Sequence, residues 1–276
     1  MRTWVNGALL DRDDAVVNAF DHGLTVGDGA FETVKVVDGV PFALRRHLER
    51  LARSTAGLGL TEPDLAEVRA ACEAVCAQAP LGLHRLRITY TGGISPLGSE
   101  RGDAGPTLVV AIAPTAPPPE STSVAVVSWP RNERGALAGL KTTSYAENVV
   151  ALAHARTFGA TEALFADTRG RLSEGTGANV FIVVDGRLLT PALSTGCLDG
   201  VTRQLILEWT GAEEVELPVD VLDRAEEIFL TSSIRDVQAV DAIVGERHAR
   251  RLDRIGPVTR EAAAAFAKHS LEDPEP

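Results

Sequence analysis

Lys141 stands in GLKTTSYAENVVALAHAR, after a glycine-containing loop and ahead of an apolar helix face formed by Val149, Val150, Leu152 and Ala153. The residues that follow it, Thr142, Thr143, Ser144 and Tyr145, are small or hydroxylated. A lysine buried there would have a lowered pKa, because desolvation disfavours the ammonium. A neutral amine is what Schiff-base chemistry with a carbonyl requires. Glu174, in GRLSEGTGANVF, precedes a glycine-rich turn and the apolar strand residues Val180, Phe181 and Ile182. A carboxylate held inward there can pair with a protonated pyridine nitrogen, which makes such a ring an electron sink for a carbanion. Gly200, Val201 and Thr202 lie where a loop turns into a helix. The first helical N–H groups have no partner and the dipole there favours an anion, so with the Thr202 hydroxyl this is a phosphate seat. Thr231, Ser232 and Ser233, in FLTSSIRDV, end a strand and offer further hydroxyls, and Arg50 in RHLERL offers a charge-assisted contact.

The elements that must position these groups read as an α+β chain. Residues 1–10 and 31–44 read as hairpins that turn at Asn6-Gly7 and Asp38-Gly39. Helices are predicted over 45–58 and 62–79 from apolar spacing, and strands over 85–91 and 107–113. The proline-rich stretch PTAPPPE at 114–120 is a stiff connector and marks a boundary. The expected organisation is therefore a small α+β domain over 1–115 and a larger domain over 116–276. The second begins with a strand at 124–129. It continues with a helix at 145–158, strands near 162–166 and 179–184, and a helix from about 201. A strand at 226–231 and a helix at 257–269 follow, and the tail LEDPEP reads as frayed.

The chain has 276 residues, 45% hydrophobic and 24% charged, which suits a packed globular core. A net charge of −11 argues against nucleic acid or an anionic membrane as partner. No apolar run is long enough to span a bilayer, and MRTWVNG lacks a signal-peptide pattern, so a cytoplasmic location is expected. Three cysteines make no disulfide framework, and no local motif of His or Cys predicts a metal.

In order along the chain, GDGAFET at 27–33, HLERL at 47–51, LKTTSY at 140–145, LSEGTGANVF at 172–181, GVTR at 200–203 and FLTSS at 229–233 resemble the class IV, fold-type IV pyridoxal-phosphate enzymes. That group holds D-amino-acid, branched-chain and (R)-amine transaminases and 4-amino-4-deoxychorismate lyases. The resemblance implies a small N-terminal α+β domain, a larger β-barrel-like domain with helices, pyridoxal 5'-phosphate between them, and a homodimer. It makes Lys141 the Schiff-base lysine and proton shuttle and Glu174 the partner of the pyridine nitrogen. Arg50, Val201, Thr202, Ser232 and Ser233 match the phosphate cup. Leu198 matches the residue packed on the ring, Tyr145 the tyrosine that bonds the ring hydroxyl, and Phe31 an aromatic of the substrate pocket.

D-amino-acid transaminases carry an Arg-x-His carboxylate clamp in the loop after the strand 85–91, whereas this chain has Leu97 and Ser99 at those positions. The expected substitutes are Arg101, Arg134 and Arg235. The resulting expectation is amino transfer between a D-amino acid or (R)-amine and a 2-oxo acid. The alternatives are an aminodeoxychorismate lyase releasing pyruvate and p-aminobenzoate, then a branched-chain L-amino-acid transaminase. The partners expected are thus an amino donor, a 2-oxo acid and a second copy of the chain.

Overall fold

The computed structural model describes residues 2–245, 248–252 and 255–276. The hairpin reading of 1–10 extends to Met1, which lies outside them. The chain divides into two compact units. The first comprises residues 1–117, 140–145 and 273–276, and the second residues 118–139 and 146–272.

The first unit is built on an antiparallel sheet. Its strands are β1 (Arg2–Val5), β2 (Ala8–Asp11), β3 (Gly29–Val37), β4 (Val40–Pro41), β5 (Leu83–Thr91) and β6 (Thr107–Pro114), in spatial order β2-β1-β6-β5-β3-β4. The turn pairs lie where the hairpins were expected. Asn6-Gly7 and Asp38-Gly39 hold positive φ at both residues, the conformation two-residue hairpins need. After the short helix α1 (His22–Thr25), two longer helices, α2 (Leu44–Gly57) and α3 (Leu65–Cys76), cover one face of the sheet. Asp64 starts α3 by accepting from the N–H groups of Ala66 and Glu67. Leu48, Leu51, Val68, Cys72 and Val75 pack there on Val34, Leu86, Ile88 and Val110. Burial pushes the Cys72 thiol up to about 12 and the Cys76 thiol up to about 11, so both behave as apolar core groups.

Two short segments join this unit from far along the sequence. Phe31 N–H donates to the Lys141 carbonyl at 3.0 Å and Thr143 N–H to the Gly29 carbonyl at 2.8 Å, so residues 141–143 run against the start of β3. The C-terminal tail docks rather than fraying. Ala43 N–H donates to the Pro274 carbonyl at 2.7 Å, and Arg46 Nε donates to the main-chain oxygen of Pro276 at 2.9 Å. The tail thereby satisfies a donor at the start of α2, where Ala43 holds a left-handed φ of 53° and its side chain cannot cap.

The second unit holds a nine-stranded sheet. Its strands are β7 (Ser121–Val126), β8 (Glu162–Ala166), β9 (Leu172–Gly175), β10 (Asn179–Val184), β11 (Arg187–Pro191), β12 (Glu213–Val215), β13 (Glu227–Ser232), β14 (Asp236–Val244) and β15 (Arg250–Arg251). The path is β12-β11-β10-β13-β14-β7-β8-β9, with β15 on β14. The strands β9 and β10 are linked by three residues, 176–178, yet β9 ends the path and β10 lies near its other end. So short a link forces the sheet to curl round on itself. Val180, Ile182, Leu164, Ile228, Leu230 and Val240 fill the core of the curl. The helices are α4 (Ala146–Thr157), α5 (Val201–Trp209) and α6 (Pro257–Glu272). Among the described residues no helix is long and apolar enough to cross a membrane.

Candidate active site

In the first unit, the pairing of β3 with β5 sorts side chains by face. Phe31 lies opposite Thr89 and Thr33 opposite Arg87, so these four share one face, while Glu32 looks toward α2 with Ala30 and Val34. The Lys141 ammonium nitrogen stands 4.3 Å from the centre of the Phe31 ring, and the Arg87 guanidinium carbon stands 3.3 Å from it. The Tyr145 ring meets Phe31 edge-on at 5.4 Å. Lys141 N–H also donates to Ser54 Oγ at 3.1 Å, which ties this segment to α2. Burial pulls Arg87 down to about 10. No carboxylate of the described residues forms an ion pair with it; its one side-chain hydrogen bond goes to Thr89 Oγ1 at 3.4 Å.

Behind β3, Arg50 is buried and grips Glu32 through two bonds, Nε to Oε1 at 2.8 Å and Nη2 to Oε2 at 2.6 Å. His47 Nδ1 approaches Glu32 Oε2 at 2.7 Å. Burial alone would raise the Glu32 pKa, but the charge and hydrogen bonds of Arg50 outweigh it and hold the carboxyl well below its ordinary range. Burial shifts His47 toward the neutral imidazole, against the pull of Glu32.

In the second unit, Glu174 ends β9 with its oxygens engaged on two sides. Oε2 accepts from the Leu198 N–H at 2.9 Å, and Oε1 lies 3.2 Å from Arg131 Nε. The Leu198 carbonyl accepts from Asn179 Nδ2 at 2.8 Å, and Asn179 lies opposite Thr231 in the β10–β13 pairing. Gly200 packs against Asn179, and a side-chain carbon at 200 would collide with Asn179 Oδ1. Thus Glu174, Leu198, Gly200 and Thr231 are neighbours through Asn179. The helix α5 begins here with no side-chain cap at Gly200, and Thr202 is buried in its first turn. The hydroxyl oxygen of Thr231 is buried without a hydrogen-bond partner, and Ser232 and Ser233 follow it at the end of β13.

The candidate carboxylate-binding arginines fare differently. Arg101 is already occupied. Nε and Nη2 each donate to Asp28 at 2.7 Å, and Nη1 and Nη2 donate to the carbonyls of Gly59 and Leu58 at 2.8 Å. Arg235 pairs with buried Glu162 at 3.0 Å and donates to Gln238 at 2.8 Å. Arg134 is exposed, and so are Leu97 and Ser99. The sequence reading missed Arg87, Glu32, His47, Arg131 and Asn179. The alternation in β5 puts Arg87 on the polar side with Arg85 and Thr89, opposite the core-facing Leu86 and Ile88, so it reads as a solvated charge. Arg131 lies in an irregular loop and gave no signal.

The chain matches the family described as amino-transferase class IV over residues 29–243. It is 31% identical to a putative branched-chain-amino-acid aminotransferase of Methanocaldococcus jannaschii, over 96% of this chain and 95% of that one. It is 30% identical to the aminodeoxychorismate lyase of Bacillus subtilis, over 85% and 84%. A crystal structure of the branched-chain aminotransferase from Thermoproteus uzoniensis with norvaline superposes with a TM-score of 0.91, at 28% identity, covering 99% of this chain and 95% of that one. The fold is that of the fold-type IV enzymes, and the chain belongs to the class IV aminotransferases. It is a pyridoxal 5'-phosphate-dependent enzyme of transamination. The second unit suits that group: an uncapped helix start, the orphaned Thr231 hydroxyl and the Ser232–Ser233 pair are the donors a phosphate dianion requires.

Proposed function

We propose that the protein moves the amino group of an apolar L-amino acid of the branched-chain type to a 2-oxo acid. One observation carries the substrate class: Arg87 is a half-buried cation over the same Phe31 ring as Lys141, with no acidic partner among the described residues. A guanidinium withdrawn from water without a counter-charge is matched by a carboxylate, bound through two parallel hydrogen bonds. The Methanocaldococcus and Thermoproteus relatives support the branched-chain choice. The engagement of Arg101 by Asp28 weighs against a D-amino-acid clamp in the 95–101 loop.

In this reading Lys141 forms the covalent link to the cofactor. Its Nζ would take a proton from the substrate α-carbon and return one. Glu174, whose oxygens are held by the Leu198 N–H and Arg131, would keep the ring nitrogen protonated. Val201, Thr202, Ser232, Ser233 and Arg50 would bind the phosphate, Leu198 would pack on the ring, and Tyr145 would bond the ring hydroxyl. When bound, pyridoxal phosphate supplies the electron-accepting ring on which this chemistry depends. A second copy of the chain completes the reading. Val16, Val17, Phe20, Leu24, Val26, Ile94 and Leu97 are exposed apolar residues of the first unit, the kind of surface a second copy would cover.

The test is a panel of half-reactions with L-leucine, L-valine, D-alanine, (R)-1-phenylethylamine and aminodeoxychorismate. The proposal expects the branched L-amino acids to be fastest. A faster reaction with D-alanine or the amine overturns it. Release of pyruvate and p-aminobenzoate as the main reaction installs the lyase reading, which the Bacillus relative favours.

A further inference from the structure

The second unit carries another convergence of ionisable side chains, made of residues that the proposed reaction does not use. Asp220 and Asp223 lie in the 3-10 turn Val219–Asp223, and His248 follows β14. Spacing of three on a 3-10 turn puts both carboxylates on one side. Ligand-capable atoms of all three residues lie within 4.8 Å of one another. His248 is only 8% exposed, whereas Asp220 is 80% exposed. His248 Nδ1 lies 2.9 Å from Asp223 Oδ1. A carboxylate at that nitrogen fixes the orientation of the ring, with Nε2 on its other side. Nε2 has no hydrogen-bond partner among the described residues, and Asp220 Oδ1 stands 3.9 Å from it.

The three residues line a cleft of about 520 Å³ together with Trp129, Asp167 and Thr168. Asp167 is neutralised by Arg171 at 2.6 Å. Among the described residues neither Asp220 nor Asp223 has a Lys or Arg partner. Arg250, which reaches the same turn, donates to the main-chain carbonyls of Asp223 and Ala225 at 2.9 and 2.7 Å instead. Among the described residues, two carboxylates without a Lys or Arg partner and a buried imidazole thus meet at one cleft.

We propose that Asp220, Asp223 and His248 form a binding site for a divalent transition-metal cation of the Zn²⁺ type. Two zinc bonds of about 2.0–2.1 Å at a tetrahedral angle span roughly 3.4 Å, so a small rotation of the exposed Asp220 side chain from its 3.9 Å separation lets it and His248 Nε2 share one ion. Asp223 orients the imidazole from behind, the arrangement in which a carboxylate raises the basicity of a metal-bound histidine. The cleft leaves the remaining coordination positions to water. The imidazole favours Zn²⁺ over Ca²⁺ or Mg²⁺, which prefer all-oxygen sites. No metal motif is legible along the chain because His248 follows Asp223 by 25 residues and joins it only through the fold.

The test is calorimetric titration of the holoenzyme with ZnCl2 in buffer free of phosphate and chelator, beside Asp220→Asn and His248→Ala, with CaCl2 as control. Asp220 is exposed, so its variant keeps the fold even if the buried His248 position does not tolerate alanine. The expected result is one zinc per chain, with affinity at least about tenfold weaker in Asp220→Asn, in line with the loss of one ligand of a small site. Zinc should also raise the melting temperature of the wild type and leave that of Asp220→Asn unchanged. Equal zinc binding by wild type and Asp220→Asn, or calcium binding as tight as zinc, overturns the proposal.

Discussion

Arg87 and Lys141 stand over one aromatic ring, and the proposal asks different work of each. Removing the Arg87 guanidinium should cost one charge-assisted contact, roughly 1.5–3 kcal/mol, or about ten- to a hundredfold in affinity. Arg87→Ala is therefore expected to raise KM for L-leucine by that factor while leaving the reaction of (R)-1-phenylethylamine, which has no carboxylate, near its wild-type value. An equal loss for both substrates would mean that Arg87 only supports packing on Phe31. Lys141→Ala should fold yet lose the borohydride-reducible yellow chromophore and nearly all turnover, because no other amine takes its place. Recovery of reduced cofactor on a different lysine counts against this. Glu174→Gln should keep cofactor but lose most of its rate, because an amide does not stabilise a protonated pyridine as a carboxylate does. The geometry sharpens that test, since a glutamine oxygen can still accept from the Leu198 N–H. Wild-type kinetics in Glu174→Gln would remove its assigned role.

Between β3 and α2 lies the least expected feature of the fold, the buried Glu32–His47–Arg50 group. Its pH dependence has a definite sign. The folded Glu32 pKa is depressed, so its contribution is complete above the ordinary value of 4.5 and declines as pH falls below it. His47 is also shifted down, from 6.5, so the unfolded chain gains protons more readily there as well. Both groups make acid destabilising. Urea midpoints measured from pH 7 to 4 should fall, and Glu32→Gln should flatten that slope while lowering stability at pH 7 by about 3–5 kcal/mol, the usual cost of breaking a buried pair. An unchanged slope in Glu32→Gln would place the acid sensitivity elsewhere. The sequence showed the elements here but not the group. The alternation FETVKVV marks β3, and apolar spacing marks a helix over 45–58, found as α2 from Leu44 to Gly57. Such patterns report which face is buried, and Glu32 on a buried face reads as a solvent-facing residue until α2 is placed over it. Motif order singles out Lys141, Glu174, Thr202 and Ser232 as candidates because each lies at or near the end of an element. Strand β14 went unread because DVQAVDAIV breaks its alternation with acidic residues, one of which, Asp241, is exposed. Arg87 was lost for a similar reason, since a charge in a strand is ordinarily a solvated one.

At the scale of the whole molecule, the proposed dimer makes a claim about surface chemistry. Seven exposed apolar residues of the first unit fall in two segments, 16–26 and 94–97, while Val37, Val40 and Leu81 lie apart from them. Backbone bonds hold the two segments together: His22 N–H donates to the Gly93 carbonyl at 2.9 Å and Ser95 N–H to the Phe20 carbonyl at 3.1 Å. Phe20, Leu24, Ile94 and Leu97 thus form one patch. With a net charge of −11, two copies repel at long range, so a dimer must draw its stability from apolar burial at short range. Two consequences separate this from electrostatic association. Raising the salt concentration should strengthen the dimer by screening the repulsion. Leu24→Glu, a change at a position 69% exposed in the single chain, should leave the fold intact but shift the mass measured by light scattering toward the monomer. The loss of one buried leucine and the burial of a charge together oppose assembly by several kcal/mol, on the order of a thousandfold or more in the dissociation constant. A wild-type protein that runs as a monomer at micromolar concentration, or a Leu24→Glu protein that remains a dimer, would show that this patch is not the dimer face.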